Sequence, residues 1–348
     1  MPTWRLCLFR GDDVTRSTAL TVMHVCCWHA RAVLRRSSCA RGQRPRTVAS
    51  LPSSPGTGHS FRATVSYDGA DFYGMQRQPR PLARSRTVQG CLETALCRLL
   101  NLDAAEPDFP RITPAGRTDS GVHAQGQVVS FTAPRMPGTG GLASFKRGLN
   151  ALLPPDVRVL DLRPVDHAFS ARFNAIGKTY EYTIDNAPDA CPLHRRFAAH
   201  VHVPLDVRLL RAAAASFVGT HDFSAFANVS VDPRDPVKLV AACDVAGERG
   251  GMITLTVTGS GFLYRQVRNM VGALLRVGTG VLSPDDVARI LAGGTRPDWL
   301  KAAPAHGLCL RRVFYADDQD APLQLVEYAR ARDARWAAEA ADPDAIDD

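Results

Sequence analysis

The spacing of hydrophobic residues changes repeatedly along the first half of the chain. Segments with a period of two, typical of strands, alternate with segments at helical spacing, typical of helices that bury one face. Their order is strand, helix, strand, helix and strand, at 61–68, 87–100, 126–133, 142–153 and 157–165. Thr87 is placed to cap the first helix, and Pro154 with Pro155 ends the second.

A second series of elements follows with the same mixture. The predicted strands are 178–184, 237–247, 251–259 and 309–315, and the predicted helices are 206–219, 262–278 and 283–293. The two strands between 237 and 259 are close enough in sequence to form an antiparallel pair. Asp206 and Ser283 are the expected caps of two helices. Because both halves mix strands with helices, the sequence predicts an α+β fold with mainly antiparallel sheets.

Charge separates the chain into a core and two unlike ends. Residues 1–60 hold nine arginines, two acidic residues and no lysine, a net charge of +7, whereas 316–348 hold three arginines and ten acidic residues, a net charge of −7. The N-terminal composition fits an organelle transit peptide, translation begun upstream of the true start, or a disordered arm, and we expect disorder in each case. The expected organisation is an N-terminal extension, two α+β halves and an acidic tail, at 1–60, 61–165, 166–316 and 317–348.

The remaining composition narrows the class of protein. Residues 61–315 contain 30 basic and 22 acidic residues, an excess that suits an anionic partner such as nucleic acid, although plain solubility explains it equally well. Hydrophobic content of 45% and the absence of a long apolar run predict a globular protein that does not associate with a membrane. The nine cysteines form no disulfide pattern, which favours a reducing compartment. We therefore expect a cytoplasmic protein, or an organellar one if residues 1–60 are a transit peptide.

A glycine-rich loop carries the candidate chemistry. In "AGRTDSGVH", Arg117 and Asp119 lie between Gly116 and Gly121, shortly before a predicted strand. Such a loop can hold a carboxylate at a fixed angle with the backbone close by. A carboxylate can act as a nucleophile at carbon, or stabilise positive charge on a sugar. An aspartate in a simple turn is the alternative.

The stretch "AGRTDSGVHA", followed by "GQV" and Phe131, resembles the active-site motif of the TruA family of tRNA pseudouridine synthases. Further blocks similar to that family follow in its order at 67–78, 148–159, 169–182, 261–278 and 303–315. The resemblance covers 61–315 and implies a pseudouridine synthase fold with two ferredoxin-like-related halves. It also implies a homodimer that isomerises uridine at positions 38–40 of the tRNA anticodon stem-loop. That reaction involves no net redox change and needs no external energy, so no metal or small-molecule cofactor is expected.

The resemblance assigns roles to five residues. Asp119 lies at the place of the family's nucleophilic aspartate, and Arg117 at that of an arginine that helps to extrude the target base. Tyr180 matches the tyrosine that stacks on the target uracil, and Arg268 matches the buried arginine that pairs with the catalytic carboxylate. Leu308 matches an apolar residue that lines the base pocket. Whether the reaction is covalent or eliminative stays open.

Two positions depart from the family pattern, and several arginines are weaker candidates. Met75 replaces a usual tryptophan, and Ser120 replaces a common alanine. The arginines near the first block, which form either a solvated face or a phosphate-tracking surface, are Arg62, Arg77, Arg80, Arg84 and Arg86. Arg77 and the later Arg135 are kept as weak candidates for RNA contact.

Other residues leave rival hypotheses open. His123 is either an acid or base, or, as we favour, a residue that hydrogen-bonds the backbone. Four residues could bind zinc, although their spacing fits no strong template, and they are Cys191, His194, His200 and His202. Two functional alternatives follow: a catalytically inactive RNA-binding protein or RNA chaperone on the same scaffold, and a zinc-dependent hydrolase built on 191–202.

Overall fold

The computed structural model describes five stretches of the chain, which are 58–77, 86–102, 110–136, 140–229 and 235–341. The expected N-terminal extension lies outside these residues, except for 58–60 at the start of the first strand. No helix among the described residues is long and apolar enough to cross a membrane.

The first half contains all five elements that the hydrophobic pattern predicts. Its elements are β1 (His59–Tyr67), α1 (Val88–Leu100), β2 (Thr113–Pro114), β3 (His123–Ala133), α2 (Gly141–Leu152) and β4 (Val157–Pro164). The side chain of Thr87 accepts a hydrogen bond from the Gly90 amide, which confirms the predicted cap of α1. The two-residue strand β2, which pairs with β3, was not predicted because it is too short for a periodic signal.

The second half contains the remaining strands and helices. Its elements are β5 (Ala175–Asp185), β6 (Ala199–His200), α3 (Val207–Ala215), β7 (Gly219–Asp222), β8 (Val237–Gly247), β9 (Met252–Gly259), α4 (Gln266–Gly278), α5 (Pro284–Gly293), β10 (Leu308–Tyr315) and α6 (Leu323–Ala341). Short 3-10 helices lie at Ser224–Phe226 and Ala305–Gly307. Asp206 and Ser283 cap α3 and α5 as predicted. Helix α4 begins four residues later than predicted, because Arg265 takes a left-handed conformation directly before it.

One sheet runs through both halves in the order β4-β1-β3-β10-β5-β9-β8-β7, with β2 on β3 and β6 on β5. Neighbours along that order are antiparallel except for β3 and β10, which are parallel and join the halves. This confirms the predicted α+β class with a mainly antiparallel sheet. We call the β3–β10 pairing the junction. Since parallel strands start at the same edge, the loops before β3 and β10 meet there.

The main hydrophobic core packs helices of both halves onto the sheet. In the first half, Phe61 of β1 lies edge-on to Phe145 of α2, with ring centroids 5.2 Å apart. In the second half, Phe217 lies edge-on to Phe226 at 5.0 Å. All four rings belong to one continuous cluster of buried residues. The sheet and this core therefore hold the two halves as one unit around the junction.

The acidic segment predicted as a tail at 317–348 is partly helix α6. Leu325 and Ala329, spaced by one helical turn, are buried against Ile176 of β5 and Phe314 of β10. Phe314 and Val313 are consecutive on β10, so their side chains point to opposite faces of the sheet. Val313 belongs to the main core, and α6 therefore covers the other face. The prediction overlooked this apolar pair because acidic residues dominate the segment's composition.

The packing of α6 predicts a difference between two neighbouring leucines. Leu325→Ala removes a buried side chain and should lower the free energy of unfolding by about 2–5 kcal/mol. Leu323, which is 66% exposed, is the matched control, and Leu323→Ala should change stability by no more than about 0.5 kcal/mol. Urea unfolding measures both variants, and equal midpoints would contradict the packing of α6 on the sheet.

Candidate active site

The loop before β3 meets helix α4 at an ion pair between the two halves. Arg268 donates from one terminal nitrogen to Asp119 Oδ2 at 2.9 Å. Its Nε donates to the carbonyl oxygen of Ala303 at 2.7 Å. The Arg268 side chain is 13% exposed and that of Asp119 is 24% exposed, so the pair is partly buried. The guanidinium is fixed at two points, and it holds the carboxylate in one orientation.

The first-block loop supports Asp119 through the backbone. The Met75 amide donates to the Thr118 carbonyl at 3.1 Å, and the Ser120 hydroxyl donates to the Phe72 carbonyl at 3.0 Å. Met75, which departs from the family pattern, is fully buried behind the loop. At Gly74, φ is 91° and an added Cβ would lie 2.6 Å from the Thr118 carbonyl oxygen. Only glycine meets both demands at this position.

Side chains from β1 and β3 hold the other part of the loop. The hydroxyls of Tyr67 and Thr118 share a hydrogen bond of 2.8 Å. Gln127 donates to the Gly116 carbonyl at 2.9 Å. Burial raises the pKa of Tyr67 to about 12, so its hydroxyl remains protonated. The loop that carries Asp119 is therefore fixed on both sides of the aspartate.

Tyr180 and Leu308 lie on the neighbouring strands β5 and β10. Leu308 of β10 pairs with Tyr182 of β5, and Leu310 pairs with Tyr180, so the four side chains share one face of the sheet. The ring of Tyr180 lies edge-on to Phe262, with centroids 5.3 Å apart. Burial raises the pKa of Tyr180 well above its usual range, with smaller contributions from Tyr67 and Asp119. The neutral ring of Tyr180 therefore lies close enough to Asp119 to feel its charge, and Leu308 is on the same face of the sheet.

Arg117 takes no part in the contacts described above. Its side chain is exposed and makes no hydrogen bond or ion pair with any residue that the structure describes. It lies two positions before Asp119 on the same fixed loop. The structure therefore leaves its guanidinium available to a ligand.

Two basic residues near Asp119 were missed by the sequence reasoning. The Nε of Arg265 lies 3.9 Å from Asp119 Oδ2. The side chain of Lys178 lies beside the loop, since a Cβ added at Gly116 would be 3.0 Å from its Cε. Their spacing offered a signal: Arg265 precedes Arg268 by three positions, and Lys178 precedes Tyr180 by two on the same strand face.

His123 links the two halves through backbone groups. Its Nε2 donates to the His306 carbonyl at 3.1 Å, and its Nδ1 accepts from the Gly69 amide at 3.0 Å. Burial lowers the pKa of His123, an effect that Asp68, 3.1 Å from Nδ1, only partly opposes. The neutral ring matches these two bonds. Of the two hypotheses for this residue, the geometry supports the structural one.

The arginines near the first block do not form a common surface. Arg62 is buried beneath the ring of Tyr315, with its guanidinium carbon 4.0 Å from the ring centroid, so its placement on an RNA-facing surface is wrong. Arg86 makes a bidentate pair with Asp156 at 2.6 and 2.7 Å. Arg80 and Arg84 lie outside the described residues. Arg62 and Arg86 therefore contact other groups of the protein.

The two weak candidates for RNA contact also have partners in the protein. Arg77 is exposed, and its Nε lies 3.6 Å from the carboxylate of the buried Glu93. Arg135 donates to the Leu100 carbonyl at the end of α1. Neither residue lies in the loop of Asp119, and their contact with RNA stays a prediction.

The predicted zinc ligands have other partners. His194 Nδ1 lies 3.2 Å from Asp185 Oδ2, and His200 donates to the Ala187 carbonyl at 2.9 Å. Across the described ranges, no group of three histidine, cysteine, aspartate or glutamate residues could hold a metal ion. No observation here favours the zinc-dependent hydrolase.

A carboxylate fixed by a guanidinium lies beside an aromatic ring where the two α+β halves join, an arrangement typical of enzyme active sites. Comparison with known proteins identifies the family to which the chain belongs. Residues 213–316 match the family described as tRNA pseudouridine synthase. The chain is 42% identical over 261 residues to tRNA pseudouridine synthase A of Methylacidiphilum infernorum, which covers 75% of this chain and 97% of the relative. It is 39% identical over 255 residues to that of Bacillus pumilus, which covers 73% and 98%.

The chain therefore belongs to the tRNA pseudouridine synthase A family, whose members are isomerases that convert uridine to pseudouridine. Among solved structures, a chain of the archaeal box H/ACA sRNP Nop10–Cbf5 complex aligns at 12% identity and a TM-score of 0.29. That alignment covers 78% of this chain and 56% of the other.

The contact of Gly74 with the Asp119 loop predicts a catalytic defect from one added methyl group. Gly74→Ala should push the Thr118 carbonyl away and lower kcat by about 100-fold, since a displacement near 1 Å has that effect on catalysis. Gly250→Ala is the matched control, because Gly250 also has a positive φ of 79° but nothing lies within 4 Å of its added Cβ. Rates of pseudouridine formation compare the two variants. Equal rates would show that the loop does not depend on this contact.

Proposed function

We propose that the protein isomerises uridine to pseudouridine at positions 38–40 of the tRNA anticodon stem-loop, with Asp119 as the nucleophile. The observation that carries the proposal is the hydrogen-bonded ion pair between Asp119 and Arg268. A carboxylate held in this way is fixed before substrate arrives, while part of it stays accessible.

The reaction needs little beyond such a carboxylate and a shaped pocket. The N1–C1′ bond breaks, the uracil turns, and C5 joins C1′, with the proton lost from C5 balanced by one gained at N1. Asp119 either attacks a carbon of the nucleoside or takes a proton from the sugar, and both routes require it to be ionised. Arg268 favours that ionised form by donating a charge-assisted hydrogen bond.

The target base must leave its stack before it reaches Asp119. Extrusion costs a few kcal/mol, roughly the energy of unstacking and unpairing one base. Arg117, exposed on the loop, can fill the vacated place in the RNA. The ring of Tyr180 can restore part of the lost stacking, and Leu308 can line the pocket around the uracil.

The alternative of an inactive RNA-binding protein is less well supported. A phosphate-binding surface gains nothing from a carboxylate, because like charges repel. Here a carboxylate is built into a fixed loop at the junction and receives a guanidinium from the other half. That arrangement favours chemistry over binding alone.

The RNA partner and the assembly are part of the same proposal. The relatives are named as enzymes of tRNA, and residues 61–315 carry an excess of basic over acidic residues that suits a polyanion. We infer recognition by shape and phosphates more than by base sequence. We also infer a cytoplasmic homodimer whose two subunits form one RNA cleft.

Replacing the proposed nucleophile tests the chemistry. Asp119→Asn keeps the shape of the side chain but removes the charge, and should lower kcat by at least about 10⁴-fold. Binding of tRNA should change by only a few-fold. Asp161→Asn, at a surface aspartate that pairs with Arg163, is the matched control and should keep normal activity. Tritium release from tRNA labelled at uridine C5 measures turnover, and a normal rate for Asp119→Asn would rule out this nucleophile.

Mapping the modified positions tests the substrate. In tRNA from a strain that lacks the gene, pseudouridine should be absent at positions 38, 39 and 40 and present elsewhere. The purified protein should restore it at those positions only. Mass mapping of the tRNA detects both results, and loss at other positions instead would contradict the assignment to the anticodon stem-loop.

A further inference from the structure

Arg265 has an unusual backbone conformation next to the catalytic loop. Its φ is 60°, and Asn101 is the one other non-glycine residue with a positive φ in the part of the chain that the structure describes. Asparagine tolerates this region well, whereas arginine adopts it seldom. Conformations of this kind persist where the surroundings hold them, and they cluster at functional sites.

The side chain of Arg265 reaches the same carboxylate oxygen as Arg268, but without a hydrogen bond to it. Its Nε lies 3.9 Å from Asp119 Oδ2, whereas the Arg268 nitrogen lies at 2.9 Å. The guanidinium carbon of Arg265 lies 5.1 Å from the ring centroid of Tyr264. Among the residues that the structure describes, two guanidinium groups therefore share one carboxylate, and one of the two positive charges has no acidic partner of its own.

One donor of Arg265 lacks an acceptor. Its Nε is shielded from solvent and has no hydrogen-bond partner within the described residues, although the side chain as a whole is 38% exposed. A shielded donor without an acceptor is unfavourable. The excess of positive charge favours an anionic oxygen from a ligand, which can reach the part of the Arg265 side chain that stays exposed.

The substrate brings such an oxygen. Because the ribose C1′ of the target nucleotide must reach Asp119, the phosphates attached to that ribose enter the same region. Guanidinium groups bind phosphate oxygens through several parallel donors, better than ammonium groups do. We propose that Arg265 binds a phosphate of the nucleotide that is isomerised, and so is a substrate-binding residue. The inference rests on the proposed function.

Arg265→Gln tests the proposal by removing the charge. The KM for an anticodon stem-loop RNA should rise about tenfold, as expected for the loss of a charge-assisted hydrogen bond, while kcat stays within about twofold. The slope of log Kd against log salt should become shallower by about 0.7, the value for one phosphate contact on a single strand. Arg208→Gln is the matched control, at an exposed arginine on α3 that pairs with Asp206. It should leave KM, kcat and the salt slope unchanged.

A modified RNA identifies the phosphate. Methylphosphonate, which has no charge, replaces the phosphate 5′ or 3′ to the target uridine in two separate RNAs. With the wild-type protein, one replacement should weaken binding about tenfold, and with Arg265→Gln that replacement should cause no further loss. Additive losses for both RNAs would overturn the proposal.

The remaining outcomes are also decisive. A fall in kcat with an unchanged KM and salt slope would mean that Arg265 acts through Asp119, and would overturn phosphate binding. A second variant, Arg265→Asn, is measured in the same way in case the glutamine variant unfolds at a lower temperature than the wild-type protein. Asparagine tolerates the left-handed backbone at this position. Failure of the proposed function would look different, because the wild-type protein would then bind the RNA without forming pseudouridine.

Discussion

The site depends on one electrostatic contact between two parts of the chain that are 149 residues apart. Asp119 comes from a loop of the first half, and Arg268 comes from a helix of the second. Arg268 is also tied to the backbone of Ala303, whose amide donates back to the Arg268 carbonyl at 2.9 Å. Removing Asp119 would leave Arg268 partly buried and without its carboxylate, which is more unfavourable than the pair itself is favourable. This ion pair therefore exists only while the two halves are docked.

The docking that this requires is made by few backbone bonds and several side chains. At the junction, β3 and β10 pair at two positions, His123 with Cys309 and Ala124 with Leu310. His123 adds a bond to the His306 carbonyl, and Tyr182 donates to the Pro304 carbonyl at 2.9 Å. Both side chains hold the short segment before β10. His123, which joins the halves, therefore also fixes the segment that leads to Leu308, and Tyr182 holds that segment from within the second half.

The sequence predicted regular elements and the main ion pair because both have local or motif signals. Periodicity located the helices and strands, and the caps at Thr87, Asp206 and Ser283 followed from residue type. The burial of a charged residue leaves no such signal in the sequence. Arg62 was assigned to the surface, since the rings and acids that enclose it lie far away in sequence. The packing of helix α6 on the sheet was missed for a related reason, because the two apolar residues Leu325 and Ala329 lie in an acidic segment and their partners, Ile176 and Phe314, are distant or on another element.

Where the positive charge of this protein can attract a ligand depends on which arginines already have acidic partners. Arg62, Arg77 and Arg86 near the first block each have acidic partners, so their charge is largely neutralised inside the protein. At the catalytic loop the balance is reversed, because Arg117, Arg265 and Arg268 lie on or beside the segment that carries Asp119. Positive charge gathered at one place attracts an anion more strongly than the same charge spread over a surface. An incoming polyanion is therefore drawn toward the junction, where the proposed reaction places one of its nucleotides.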